Sequence, residues 1–193
     1  MTPRSSLPSL SLSSKVSDRV LVDAAVAGDR TAFETLVLRH GPVLHRYARR
    51  MLRDEGAVHE VVQDTFVAAW RQLSSFRGDS AVRTWLFAIC SRKVIDSTRV
   101  KHAQPVDDKL LQPLADPRAV DPFEFASNAQ FVEALEAALA ELPLRQRASW
   151  VLREIEGHTF PEIGAALGLS PDAVRGQHRR ARAMLSQRLM RWR

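Results

Sequence analysis

The C-terminal stretch Thr159–Arg193, TFPEIGAALGLSPDAVRGQHRRARAMLSQRLMRWR, contains the residues best suited to bind nucleic acid. From Asp172 to the end it holds seven arginines and one acidic residue. Arginine forks pair with phosphate oxygens and with guanine edges, so this charge suits a DNA duplex. The chemistry expected here is recognition of DNA rather than bond breaking.

Local signals predict how this segment folds. Thr159 and Glu162 have the spacing of a capping box at the start of a helix. Gly168-Leu169-Ser170 is a turn sequence, Ser170 is suited to cap a second helix, and Pro171 suits its first position. The pattern predicts a helix-turn-helix, whose second helix enters the major groove.

The remaining reactive side chains form no catalytic set in the sequence. The six histidines are scattered without metal-ligand spacing, and no glycine-rich phosphate loop occurs. Cys90 is the single cysteine and lies in an apolar helical segment, where a buried, inert thiol is expected. One cysteine excludes an internal disulfide and fits a reducing cytoplasm. We therefore expect a cytoplasmic, non-enzymatic protein without a cofactor or a metal.

Composition and charge further limit the class of protein to which the chain can belong. The chain has 193 residues, a formal net charge of +6 and a pI of about 10.4. No apolar run approaches the roughly 20 residues of a membrane span. Residues 1–17 are rich in Ser, Leu and Pro and are expected to be a disordered tail rather than a signal peptide.

Helical periodicity dominates and predicts an all-α protein. Lys101–Pro122 contains four prolines and four aspartates, which predicts a flexible linker between two small helical domains, 18–100 and 123–193. Within the first domain, Gly41-Pro42 is expected to break a helix, and Ser80 is expected to cap the long helix that follows. The predicted helices span 18–27, 30–39, about 42–52, 55–73, 80–100, 123–141, about 143–156 and the two helices of the helix-turn-helix.

Two further groups of residues suggest binding surfaces. Glu60, Gln63 and Asp64 share one helical face, which is either a solvated acidic face or a docking face for a basic helix. From Phe76 to Lys101 there are six cations and two acids around Trp85, a mixture that suits single-stranded nucleic acid. An isolated tryptophan in a helix is also typical of a core, and both interpretations of Trp85 remain open.

The order of these segments resembles the small bacterial sigma factors of the extracytoplasmic-function (group IV) class. Residues 60–96, EVVQDTFVAAWRQLSSFRGDSAVRTWLFAICSRKVID, resemble their core-binding and promoter-melting region. Residues 138–185, ALAELPLRQRASWVLREIEGHTFPEIGAALGLSPDAVRGQHRRARAML, resemble their promoter-upstream reading domain. The resemblance implies a sigma factor that binds core RNA polymerase, recognises the minus-10 and minus-35 elements and helps to melt the promoter.

The resemblance also implies residue roles. The residues matching the contact with the polymerase β′ clamp helices are Glu60, Gln63, Asp64, Phe66 and Trp70. Those matching the minus-10 contacts, in the base-capturing loop and the helix after it, are Phe76, Arg77, Ser80, Arg83, Thr84, Trp85, Arg92 and Lys93. Those matching the minus-35 contacts are Arg175, Gln177, Arg179 and Arg180. Further implied partners are the polymerase β flap and an anti-sigma factor, with a free chain that is monomeric and not inserted in a membrane.

Some residues depart from the family pattern. Lys93 follows Arg92 where the family often has Asn, and Gly176, Gln177 and His178 stand where the reading helix usually has a basic or small residue and then an apolar one. His178 is expected to pack against its own domain. A free-standing helix-turn-helix repressor or activator is the alternative function, although no dimer helix is evident, and a protein-binding adaptor would need no arginine-rich helix.

Overall fold

The structure, a computed structural model, describes residues 16–103 and 122–192, and the regular elements of these residues are all helical. The predicted all-α class is confirmed. Most of the expected tail and linker lie outside the described residues. The α-helices are α1 (Asp18–Val26), α2 (Arg30–Met51), α3 (Glu55–Gln72), α4 (Val82–Ala103), α5 (Pro122–Glu141), α6 (Leu144–Trp150), α7 (Phe160–Leu167) and α8 (Pro171–Arg188).

The first domain consists of α1–α4, and its helices begin at short polar caps. The Asp29 carboxylate accepts hydrogen bonds from the backbone N–H of Thr31 and Ala32, and the Asp54 carboxylate caps α3 at Ala57. Helices α2, α3 and α4 pack on one another with α1 against α2. The buried side chains at their centre include Leu36, Leu44, Tyr47, Val58, Phe87 and Val94.

The predicted break at Gly41-Pro42 is wrong, because α2 continues through Pro42 to Met51. Proline inside a helix costs about 3 kcal/mol through its missing N–H and its clash with the preceding turn. Leu36 and Leu44, on either side of Pro42, are both fully buried on the same helix. Packing along the whole helix therefore outweighs the local signal for a break.

The prediction that Ser80 caps α4 is also wrong. The helix begins at Val82, and the Ser80 hydroxyl donates to the carbonyl of Ala81 at 3.4 Å. The loop before it contains a short 3₁₀ turn, Leu73–Ser75. The helix extends to Ala103, three residues beyond the predicted end.

The second domain consists of α5–α8, in which α6 and α7 both pack against α8. A π-helical turn, Val151–Ile155, continues α6 and leads to α7, and a 3₁₀ turn, Met190–Trp192, follows α8. The buried side chains at its centre include Leu139, Leu152, Ile163, Val174 and Leu185.

The two domains are packed together in this structure. Helix α4 of the first domain lies against α7 of the second, and α2 contacts α5 and α6. The buried apolar side chains of both domains form one continuous cluster. None of the described helices has the length and apolar character needed to cross a bilayer.

Candidate nucleic-acid and protein interfaces

The helix-turn-helix forms as its sequence predicts. The Thr159 hydroxyl accepts from the Glu162 N–H, while the Glu162 carboxylate accepts from the Thr159 N–H at 2.7 Å. Gly168 ends α7 in the left-handed region, at φ +63°, and Ser170 caps α8. Gly164 is also required, because a Cβ there would lie 2.6 Å from the carbonyl oxygen of Leu169. These contacts set the angle at which α8 is presented.

The outer face of α8 carries the predicted DNA-reading arginines. Arg175, Arg179 and Arg180 are exposed, and Gln177 is half-buried beside them. The Arg175 guanidinium pairs with Asp172 and lies 5.8 Å from the ring centroid of Phe160. An exposed ion pair of this kind is weak, so Arg175 can exchange it for a base or phosphate.

His178 lies on the inner side of α8, which confirms the prediction that it packs against its own domain. Its side chain is 13% exposed, its Nε2 lies 2.6 Å from a Glu154 carboxylate oxygen, and its ring packs edge-on against Phe160. Through this contact α8 is attached to the π-helical turn and to the start of α7.

The predicted polymerase-docking residues lie along α3. Glu60, Gln63 and Asp64 are all exposed, as their spacing predicts. Trp70 is 42% exposed, whereas Phe66 is buried. Asp64 pairs with Lys93 at 3.3 Å, which joins one predicted docking residue to one predicted DNA contact.

A largely apolar groove of about 930 Å³ runs beside these residues, between α2 and α3. Phe33 packs edge-on against both Phe66 and Trp70, with ring centroids 6.4 and 4.9 Å apart. Gln63 also lines the groove. Polar residues of α3 therefore border the apolar groove, and such a groove can bind an amphipathic helix.

One cluster beside the groove was missed by the sequence analysis. His45, Glu55 and His59 place their potential ligand atoms within 4.8 Å of one another. His45 Nε2 lies 3.2 Å from the Glu55 carboxylate, and His59 Nδ1 donates to the Glu55 carbonyl at 2.8 Å. The histidines come from different helices, so their approach depends on the packing of α2 on α3 and not on a local spacing.

The predicted minus-10 residues occupy the loop after α3 and the start of α4. The rings of Phe76 and Trp85 are half-buried and in contact, with centroids 4.9 Å apart. Trp85 is thus neither a fully buried core residue nor a free stacking platform. Arg77 and Arg92 are exposed, while Ser80 and Lys93 are half-buried.

Arg83 and Thr84 are occupied by the second domain. The Arg83 guanidinium pairs with the Glu156 carboxylate at 2.5 Å. The Thr84 hydroxyl donates to Glu162 Oε1 at 3.2 Å and lies 3.5 Å from His158 Nδ1. The sequence predicts only a capping role for Glu162 and no role for Glu156 or His158.

Two family models match the chain, Sigma-70 region 2 over residues 36–103 and Sigma-70, region 4 over residues 132–185. The ECF RNA polymerase sigma factor SigM of Mycobacterium tuberculosis is 35% identical over 173 residues, which cover 90% of this chain and 85% of SigM. The chain belongs to the extracytoplasmic-function (ECF) group of the sigma-70 family. Its function is that of an ECF sigma factor, which acts in promoter recognition and transcription initiation.

Other relatives extend the similarity to structure. The sigma factor CnrH of Cupriavidus metallidurans is 37% identical over 177 residues, covering 88% of this chain and 92% of CnrH. The structure of CnrH in complex with the cytosolic domain of CnrY matches with a TM-score of 0.62 at 35% identity, over 89% of this chain and 96% of that chain. RpoE of Bartonella quintana, solved in complex with the anti-sigma factor NepR, matches in fold, with a TM-score of 0.65 at 22% identity over 82% of this chain and 96% of that chain.

In this ECF sigma factor a buried arginine joins region 2 to region 4. Arg147 Nη1 donates to the carbonyls of Arg50 and Met51 at 3.1 and 3.2 Å, and Nη2 donates to those of Ala140 and Leu142 at 2.6 and 3.1 Å. Burial lowers the pKa of Arg147 from its usual value, with the neighbouring Arg53 charge acting in the same direction. An isolated arginine in a helix is ordinarily exposed, so the sequence alone does not indicate this contact.

Cys90 lies in the core of region 2, as predicted. It is fully buried, and burial raises the pKa of its thiol to about 12. The thiolate needed for a reaction is therefore disfavoured at neutral pH.

Proposed function

We propose that this chain binds core RNA polymerase through α3, holds the melted minus-10 strand at the start of α4 and reads the minus-35 duplex with α8. The observation that carries this proposal is the pairing of a polar face beside an apolar groove in region 2 with an exposed arginine face in region 4. Both lie in the segments that match the family models. The proposed domain bounds remain 18–100 and 123–193.

Docking on the polymerase uses two kinds of contact in this proposal. Glu60, Gln63 and Asp64 meet a basic helix of the β′ clamp, and Trp70 supplies an exposed aromatic edge next to them. Charged residues at the rim guide the encounter, and the apolar contact is desolvated on binding. Region 4 would meet the β flap.

The proposed promoter contacts are of two kinds, those with the melted minus-10 strand and those with the minus-35 duplex. Phe76, with Trp85 beneath it, offers an aromatic surface for an unstacked base, and Arg77, Arg92 and Lys93 surround it with positive charge. In region 4, Arg175 reaches base edges and Arg180 contacts phosphates, with Gln177 and Arg179 between them. The chain supplies recognition and strand separation and is not itself an enzyme, because the polymerase performs the chemistry.

An anti-sigma factor is a further expected partner. CnrH, a relative at 35% identity in its structure, was solved with the cytosolic domain of CnrY. An anti-sigma factor bound at the α3 surface would compete with the polymerase for it. The free protein is proposed to be a monomer in the cytoplasm.

Run-off transcription tests the proposed function directly. Purified core polymerase, the chain and fragmented genomic DNA from the source organism should yield discrete transcripts that are absent when either protein is left out. A chain that binds operator DNA as a dimer and gives no transcript with core would instead support a free-standing regulator.

A further inference from the structure

We propose that the cluster of His45, Glu55 and His59 binds a divalent transition-metal ion such as Zn²⁺ between α2 and α3. Two imidazoles and one carboxylate are a ligand set that binds Zn²⁺ in proteins, with water in the remaining coordination position. The site gives region 2 a ligand that is neither DNA nor protein.

The three side chains already lie close to the geometry of such a site. His45 Nε2 lies 3.2 Å from Glu55 Oε1, and the potential ligand atoms of all three residues lie within 4.8 Å of one another. In a tetrahedral site with metal–ligand bonds of about 2.0–2.2 Å, the ligand atoms lie roughly 3.3–3.6 Å apart. The first pair therefore has the required spacing, and His59 has to approach the other two by about 1.5 Å at most.

The side chains can make this adjustment without a movement of the backbone. The His59 side chain is 68% exposed, so packing does not fix its rotamer. His45 is more enclosed, at 32% exposed, and provides the less mobile side of the site. His59 Nδ1 donates to the Glu55 carbonyl, which leaves the lone pair on Nε2. Metal-binding histidines are commonly oriented by a hydrogen bond of this kind from their other ring nitrogen.

The two helices bring the ligands together. Glu55 and His59 are four residues apart on α3 and share one face, and the Asp54 cap holds the first turn to which Glu55 belongs. His45 reaches them from α2 because that helix continues past Pro42. The cluster therefore exists only when region 2 is folded, and an ion that binds it should stabilise the folded chain.

The site lies at one end of the apolar groove. His45 is the last residue of α2 that lines the groove, and His59 is the first residue of α3 that does so. A bound ion would place two positive charges there, beside the docking residue Glu60 that follows His59 in the chain. Because like charges repel across an interface, the occupied site should weaken the docking of a basic helix. This consequence rests on the proposed function.

Calorimetric titration of the full, untagged chain with zinc chloride tests the site on the free protein. We expect one ion per chain in the wild type. His59→Gln should raise the Kd at least about tenfold, because even residues that only orient a ligand commonly contribute about 10- to 100-fold. His59→Cys should retain zinc binding, since a thiolate is a strong zinc ligand. A histidine with a purely structural role would give no such difference between glutamine and cysteine.

The matched control is His178→Gln in region 4. His178 pairs with Glu154 at 2.6 Å, but within residues 16–103 and 122–192 no third ligand group joins them. This change should leave the zinc affinity unaltered. The metal site is overturned if the wild type binds no zinc, if His59→Gln binds as tightly as the wild type, or if both variants lose the same affinity.

Titration of labelled core polymerase with and without zinc tests the consequence for docking. Zinc should lower the affinity of the wild type for core several-fold and leave that of His59→Gln nearly unchanged, a comparison that also corrects for zinc bound by the polymerase. Equal ratios in the two chains would overturn the effect of the metal on docking. Failure of the proposed function is distinguishable, because a chain that gives no transcripts at any zinc concentration would still bind zinc on its own.

Discussion

The docking face of α3 and the strand-binding face of α4 belong to the same domain but differ in accessibility. Glu60, Gln63 and Asp64 are exposed beside an open groove. Arg83 and Thr84, on the next helix, are in contact with region 4. The packing of region 2 determines the first surface, whereas the arrangement of the two domains determines the second. In this structure the proposed polymerase-docking residues are therefore accessible, whereas two of the proposed strand-binding residues are already in contact with region 4.

The largest effect on binding is expected at the docking face of α3. Reversing Glu60 and Asp64 together to Lys should weaken binding to core polymerase by about 2–5 kcal/mol, because two charges would then repel a basic helix. The exposed Asp64–Lys93 pair contributes little to stability, so unfolding should change by less than about 1 kcal/mol. Titration of labelled core polymerase measures the loss.

Reversal of Asp23 and Glu133 to Lys is the control for net charge. These exposed residues lie outside the groove and should leave core affinity nearly unchanged. Equal losses in both double variants would show that α3 is a solvated acidic face.

The attachment at Arg147 gives the next largest effect. Arg147→Ala removes the donors to four carbonyls and should lower the free energy of unfolding by about 2–4 kcal/mol. It should also lengthen the distance between regions 2 and 4. Denaturant unfolding measures the loss of stability, and the distance between spin labels at Leu38→Cys and Arg182→Cys, two exposed positions, measures the domain spacing. Arg145→Ala, on the same helix, is the control. A stable Arg147→Ala chain with unchanged spacing would contradict the comparison.

The contact between Phe76 and Trp85 tests whether the loop before α4 binds a base. Phe76→Ala should cost about 1–3 kcal/mol in open-complex stability if a base stacks there, and Phe76→Tyr should retain most of it. Permanganate footprints of the open complex report melting. Normal melting in a Phe76→Ala, Arg77→Ala chain would show that the loop is only a connector.

Region 4 sharpens the comparison, because its arginine face stays exposed while Arg83 and Thr84 of α4 are in contact with another domain. Arg175→Ala should cost about 1–3 kcal/mol and relax preference at one base pair of the minus-35 element, if the guanidinium contacts a guanine. Arg180→Ala should weaken binding to all duplexes and reduce the salt dependence. A promoter library transcribed by each variant separates the two. An unchanged preference in Arg175→Ala would mean that another residue reads the base.

The smallest effect concerns pH. Burial lowers the pKa of His158, with Arg83 adding to the shift and Glu162 and Glu156 opposing it. The contact between regions 2 and 4 at His158 therefore favours the neutral imidazole, so this contact is strongest above the ordinary histidine pKa of about 6.5 and weakens as pH falls below it. The distance between spin labels in regions 2 and 4 should therefore lengthen slightly between pH 7.5 and 5.5.

His158→Gln removes this titration and should flatten the response. His40 is the control, since burial lowers its pKa also while it contacts Asp18 within region 2. A pH response that survives in His158→Gln and disappears in His40→Gln would place the effect inside region 2.

Features with local causes were predictable from the sequence. The cap at Thr159, the turn at Gly168 and the cap at Ser170 depend on neighbours within a few residues, and all three form as expected. Pro42 favours a helix break by its local chemistry, but burial on both sides of it keeps α2 continuous. The contact between Arg83 and Glu156 joins residues 73 positions apart, and neither has a partner that a spacing rule would find. The individual roles at the DNA and polymerase surfaces stay predictions.

The acceptors of Arg147 have a consequence for how this protein tolerates substitution. All four are main-chain carbonyls, of residues 50, 51, 140 and 142, which every amino acid possesses. These hydrogen bonds therefore place little restriction on which side chains occupy those four positions. Sequence drift there can leave the attachment intact, whereas the guanidinium that donates to all of them has no substitute, since lysine cannot present the same planar fork.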